Sequence, residues 1–253
     1  MMVLPFFMIK KNPAIYLLLL VYFCLIPPIL SYKNSWVQPE EFYLKLGILK
    51  TGPQLNIQDL KAGLSWELFE YQPRLTRPFS SYFEIIDTKF RVWLWHFMVP
   101  IPNLSLTWIF SLILAPVLLF FLFLNCSIRA PVAVTMVAFY LMTPAVLSYE
   151  AMLFRPAKPM ANFFIIFCLF LASRLKVLYL DQQRPIPWRE YFCFWLVCIF
   201  SFYWDETALL IFPAVFFFFP QVLRRKSYLA LWLLLPLTVG FMYLKFLLGS
   251  GNS

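Results

Sequence analysis

The sequence predicts an all-α integral membrane protein, with about seven transmembrane helices and one long extracytoplasmic first loop that carries two interfacial helices. Three observations lead there. Hydrophobic residues make up 62% of the 253 residues, charged residues only 13%, and mean hydropathy is +0.75, far too apolar for a soluble domain. The apolar residues come in runs close to the roughly 20 that a helix needs to cross a bilayer core of about 30 Å. The charged residues gather where such runs are absent, above all between Lys33 and Asn103.

The first run, Pro13–Tyr32, follows Lys10 and Lys11 and is long enough to span. No small-residue cleavage site precedes Lys33, so the run is expected to stay as an anchor. In the loop 33–103, Pro39 followed by Glu40 and Glu41 reads as a helix start, running towards Lys50 and stopped by Thr51-Gly52-Pro53. A second helix is expected from Pro78 to about Met98, ended by Pro100 and Pro102. Its apolar residues Phe79, Phe83, Ile86, Phe90, Trp93 and Phe97 recur at three- and four-residue steps, while Glu84, Asp87, Lys89 and Arg91 fall largely elsewhere. That pattern predicts a helix lying in the membrane interface with Trp93 and Trp95 at headgroup level.

Six further spans are expected, at Leu104–Asn125, Pro131–Tyr149, Pro159–Leu175, Tyr191–Trp204, Thr207–Leu223 and Tyr228–Leu248. The fifth and sixth of the seven are short, and Trp204-Asp205-Glu206 between them predicts a tight hairpin joining tilted or incompletely spanning helices. Residues 1–253 form a single membrane domain on this reading.

Lysine and arginine in the short loops set the orientation. With a cytoplasmic N-terminus, that side collects Lys10, Lys11, Arg129, Arg174, Lys176, Arg184, Arg189, Arg224, Arg225 and Lys226 against Asp181 and Glu190, a surplus of eight of the chain's net nine positive charges. The basic balance therefore reads as a topology signal and not as the footprint of a nucleic acid. An odd number of spans puts the loop 33–103, the Tyr149–Lys158 loop and the Asp205-Glu206 hairpin on one extracytoplasmic face. The expected location is a bacterial inner membrane, with the endoplasmic reticulum second.

Charged residues on that face carry the candidate chemistry. Glu40 and Glu41 lie where a carboxylate can take a proton from an acceptor hydroxyl or hold a divalent metal such as magnesium or manganese. Two acids in a first helical turn also simply favour the macrodipole. Arg74, Arg77, Arg155 and Lys158 form a complementary basic set, suited to a lipid phosphate, to ordinary anionic headgroups or to a salt bridge with Glu150. Asp205 and Glu206 sit between two short apolar segments, where ionisable groups need a specific partner; an ion pair with the basic set and a substrate contact both fit.

His96, inside an aromatic run, reads as an interfacial side chain, because a single histidine makes no metal site. Cys24, Cys126, Cys168, Cys193 and Cys198 lack paired-ligand spacing, so neither a disulfide framework nor a zinc site is expected. With 6 glycines and no glycine-rich loop, a backbone-built phosphate cradle is not expected either.

The layout resembles the GT-C membrane glycosyltransferases, which include protein O-mannosyltransferases, the lipid A aminoarabinose transferase and oligosaccharyltransferase catalytic subunits. Gln38-Pro39-Glu40-Glu41-Phe42-Tyr43 is similar to the family's acidic motif in the first loop, more often written with aspartate. Arg74-Leu75-Thr76-Arg77-Pro78-Phe79-Ser80-Ser81 is similar to the segment that opens the second interfacial helix in many members. The resemblance implies a sugar donor linked to polyprenyl phosphate, with Glu40 or Glu41 as the base or the metal-binding acid. It also implies that Arg77, Arg155 and Lys158, with Arg74 beside them, contact the lipid phosphate, and that Asp205 or Glu206 lines the pocket.

Two departures stand out. Glutamates replace aspartate, and seven spans match the module shared across the superfamily without the spans and soluble domain that usually follow it. A short form, one piece of a split enzyme and an inactive relative kept as a subunit are all consistent with that length. The leading expectation is a GT-C-like glycosyltransferase moving a sugar from a polyprenyl-phosphate carrier to an extracytoplasmic acceptor. The alternative is a non-catalytic membrane subunit of a larger complex that uses the scaffold to bind lipid or partner subunits. A transporter fits less well, since mid-membrane charges and paired glycine-interrupted helices are lacking.

Overall fold

A computed structural model describes residues 13–31, 83, 86–87, 89–90, 93–94, 105–143, 157–202, 204 and 206–249, and every regular element among them is helical. The helices are α1 (Pro13–Ser31), α2 (Leu106–Asn125), α3 (Ala130–Met142), α4 (Ala157–Leu175, continuing as a wider turn over Lys176–Leu180), α5 (Trp188–Phe202), α6 (Ile211–Phe218) and α7 (Lys226–Gly249). Two of them, Leu106–Asn125 and Lys158–Leu180, are long and apolar enough to cross a membrane. Phe83, Ile86, Asp87, Lys89, Phe90, Trp93 and Leu94 are helical too and belong to the second helix expected in the loop. The first helix expected there, His96 and the loop 144–156 lie outside the described residues.

α4 is the hub. It packs on α2, α5 and α6, while α2 also carries α3, and α3 carries α1. Ala161, Cys168 and Ala172 are fully buried along α4, and such small side chains let neighbouring helices approach closely. Around them Tyr191 and Phe194 of α5, Ile211 and Val215 of α6, and Tyr228 and Trp232 of α7 complete the larger apolar cluster. A second cluster joins Leu18 and Tyr22 of α1, Leu112 and Phe120 of α2, and Val134 and Val137 of α3.

A few polar bonds fix how these helices register. Asn125 donates to the Ser173 hydroxyl (3.0 Å), tying the end of α2 to the end of α4. At the opposite end Asn162 of α4 donates to the Tyr140 hydroxyl of α3 (2.7 Å). Tyr22 donates to the carbonyl of Ile113 (2.8 Å), which lies in a π-helical segment of α2, Ile109–Leu114. A π turn shifts the bonding ladder by one residue and frees a carbonyl, which in apolar surroundings has to find another donor.

Where boundaries differ from expectation, the cause is local. α4 runs past Leu175 because Val177, Leu178 and Leu180 continue the apolar pattern, and the stems of Arg174 and Lys176 can lie along the helix while their charges reach outward. The expected span Thr207–Leu223 breaks into a 3-10 turn (Glu206–Leu210), α6 and a second 3-10 turn (Pro220–Leu223). Pro213 is tolerated in the first turn of α6, but Pro220 disfavours helical geometry at the residue before it, and Phe219 turns out at φ −133° and ψ 48°. Tighter winding lengthens what remains, so residues 206–218 still rise roughly 22 Å.

α5 and α7 are locked by their first turns. The rings of Tyr191 and Tyr228 stack at 4.0 Å and 6°. Tyr191 donates to the Tyr228 carbonyl (2.8 Å), and Tyr228 donates to the carbonyl of Ile186 (2.7 Å) in the α4–α5 connection. Tyr228→Phe leaves that buried carbonyl unpaired. It is expected to cost about 1–3 kcal/mol, read as a lowered thermal unfolding midpoint of the purified protein.

Candidate functional site

The end of the bundle where α2 begins gathers chemistry from four separate parts of the chain. Ser105 is extended (φ −143°, ψ 165°), and its hydroxyl accepts from the amide of Trp108 (3.2 Å), an N-cap. Asp87, 4% exposed, reaches the same helix start from the loop. Its carboxylate accepts from the amides of Leu106 and Thr107 (3.2 Å for the latter) and from the Thr107 hydroxyl (3.1 Å). The first three amides of α2 are thereby paired, with a negative charge against the positive end of the macrodipole.

The burial of charge was not expected in the loop helix. Asp87 and Lys89, which fall off its apolar stripe, are 4% and 3% exposed, while Ile86 and Trp93 of the stripe stay exposed. The reason is the cap: unpaired donors at a buried helix start draw a carboxylate inward, and the helix turns to supply it.

Aromatic contacts hold the same parts together. Phe83 lies edge-on to Phe110 of α2 (6.0 Å) and to Trp204 (5.1 Å). Phe110 meets Phe163 of α4 edge-on (5.1 Å), and Phe164 stacks on Trp204 (5.5 Å). Each such pair is worth about 0.5–1.5 kcal/mol beyond burial. The loop helix, the starts of α2 and α4, and the turn after α5 therefore meet at one end.

Of the residues singled out from the sequence, Lys158 is exposed in the first turn of α4, a position where the helix macrodipole opposes a cation. Glu206, two residues after Trp204, opens the 3-10 turn; the Trp204 amide bonds the Ser201 carbonyl (3.2 Å). Both belong to the gathered end. Glu40, Glu41, Arg74, Arg77, Arg155 and Asp205 lie outside the described residues, and so does a divalent metal on either glutamate. Among the described residues no three His, Cys, Asp or Glu side chains group closely enough to hold a metal ion.

Sequence reasoning placed Asp87 and Lys89 on this face with the rest of the loop but missed that Asp87 caps α2. The available signal was weak: an aspartate in a loop helix, and a Ser-Leu-Thr helix start 18 positions later whose amides it could satisfy.

The opposite end, where α7 begins, carries Arg129, Arg174, Lys176, Arg184, Arg189, Arg224, Arg225 and Lys226 against Asp181 and Glu190. In comparisons with known proteins, no protein family, no curated protein and no solved structure matches the chain.

Proposed function

We propose that the chain is a GT-C-like glycosyltransferase with seven membrane spans, moving a sugar from a polyprenyl-phosphate carrier to an extracytoplasmic acceptor. The observation that supports this reading is the gathering of the loop helix, the start of α4 with Lys158 and the turn at 204–206 at one end of the bundle. A transferase of this kind needs an acid-bearing loop beside cations at headgroup depth. Glu40 or Glu41 takes the proton from the acceptor hydroxyl, and Arg74, Arg77, Arg155 and Lys158 stabilise the departing phosphate. Asp205 and Glu206 border the same pocket. Lys158 suits its role because the macrodipole of α4 opposes its charge, so an anion arriving there is doubly favoured. Alanine at Glu40 and Glu41 tests the assignment.

The orientation that goes with this function puts the basic end in the cytoplasm. Cys126, exposed just beyond α2, reports on it. Partial burial raises the Cys126 thiol above its ordinary range, with Lys176 pulling it back. A membrane-impermeant maleimide is expected to modify it slowly at neutral pH, faster by about tenfold per pH unit as the thiolate forms, and only from the cytoplasmic side. Labelling from the outer side of sealed vesicles, absent in Cys126→Ser, would reverse the topology.

A second reading, a non-catalytic membrane subunit, is favoured by the width of the outward apolar surface, where Phe23, Phe139, Phe217 and Phe218 are all highly exposed. On that reading function survives loss of the two glutamates.

A further inference from the structure

Where α7 begins, the packing bonds build a surface that sugar transfer does not use. The α4–α5 connection is pinned in place: the Arg184 amide donates to the Tyr179 carbonyl (2.7 Å), Gln183 reverses the chain at φ 56°, and the Tyr228 hydroxyl holds Ile186. Lys176–Leu180 packs against Pro220–Leu223, which brings Arg184 and Arg189 to the same edge as Arg224, Arg225 and Lys226, all five exposed. Arg225 sits there with its guanidinium carbon 5.5 Å from the centre of the Tyr228 ring and Nη1 donating to the Tyr228 hydroxyl (3.5 Å). Trp188, 52% exposed, lies against the same ring (5.7 Å).

From Trp188 an outward apolar stripe runs along α5 through Phe192, Leu196 and Phe200, each exposed and each four residues from the last. Its length is roughly 18 Å at about 1.5 Å per residue. One leaflet of a bilayer core about 30 Å thick is comparable, roughly 15 Å deep.

We propose that this surface seats one anionic phospholipid, its phosphate among Arg184, Arg189 and Arg225 and an acyl chain along Trp188, Phe192, Leu196 and Phe200. Arginine forks, one of them set over the Tyr228 ring, suit a phosphate at headgroup depth. The continuity of cations with a leaflet-length apolar stripe selects a lipid over a nucleic acid or an acidic protein, either of which would cover the charges and leave the stripe bare. The inference rests on the membrane reading of the chain and not on sugar transfer.

The test uses the full-length protein in detergent, titrated with phosphatidylglycerol or phosphatidylcholine bearing brominated acyl chains, with indole fluorescence as the readout. Wild type is expected to bind phosphatidylglycerol more tightly, and Trp188→Phe to remove a distinct part of the quenching. Arg184→Gln with Arg225→Gln should weaken phosphatidylglycerol by about fivefold per arginine, roughly twenty-five-fold for the pair, and leave phosphatidylcholine unchanged. Arg184→Gln with Arg189→Gln, which leaves the Arg225–Tyr228 pair intact, should give the same loss. Equal affinity of wild type for the two lipids, or arginine variants that weaken both lipids alike or neither, would overturn the proposal.

Discussion

Replacing Glu40 and Glu41 together with alanine is expected to abolish sugar transfer while expression and membrane insertion stay at wild-type levels. General-base assistance contributes about 10²–10⁴-fold to such reactions, so activity should fall to the background of the assay, measured with a polyprenyl-phosphate-linked sugar and an acceptor. The single variants divide the roles. The one carrying the base should lose kcat with little change in KM, and its neighbour in the first helical turn should change either value only modestly. Transfer at the wild-type rate by the double variant would sink the enzyme assignment and favour the subunit reading.

The second large effect is on the fold. Asp87→Ala removes a buried acceptor that serves two amides and a hydroxyl at the start of α2. Each buried donor left without a partner costs about 1–3 kcal/mol, and the helix also loses a favourable charge at its positive end, worth about 0.3–1 kcal/mol. A loss of at least about 3 kcal/mol is expected, large against the roughly 5–15 kcal/mol of a typical domain. Asp87→Asn keeps one carbonyl oxygen to accept and should lose much less. The measurement is thermal unfolding of purified protein in detergent, followed by loss of the monodisperse peak. An alanine variant that melts with wild type would mean that water or another group takes over the cap.

The sequence made some features legible because they depend on neighbours along the chain. α1, α2 and α7 begin and end within about two residues of the apolar runs that predict them, since prolines, charges and apolar stretches act locally there. The overrun of α4 and the fragmentation of the sixth run were harder. In the first, Arg174 and Lys176 look like a boundary but their stems tolerate burial. In the second, the effect of Pro220 on Phe219 is local, yet an unbroken apolar composition conceals it.

The cap by Asp87 was barely legible. Its partners lie in another helix, and periodicity sets it off the apolar stripe because a pattern records polarity and not which polar group is needed inside. The candidate site follows the same division. Convergence at one end could be anticipated from alternating helix direction and is visible through Phe83, Phe110, Phe164 and Trp204. The roles of Glu40, Glu41, Arg74, Arg77, Arg155 and Asp205 rest on residue type and on the resemblance to GT-C enzymes.

The π segment of α2 sets the phase between the two ends of the protein. An unbroken α-helix advances about 100° per residue, so one residue absorbed in a wider turn rotates everything beyond it by that amount. In α2 the turn stands between Thr107, which faces the capped start, and Asn125, which must face Ser173. A one-residue deletion inside Ile109–Leu114 would leave a more regular helix and a worse protein: with Asp87 still on its cap, Asn125 would point about a quarter-turn away from Ser173. Local irregularity here is the gearing that lets one rod mesh with different partners at its two ends.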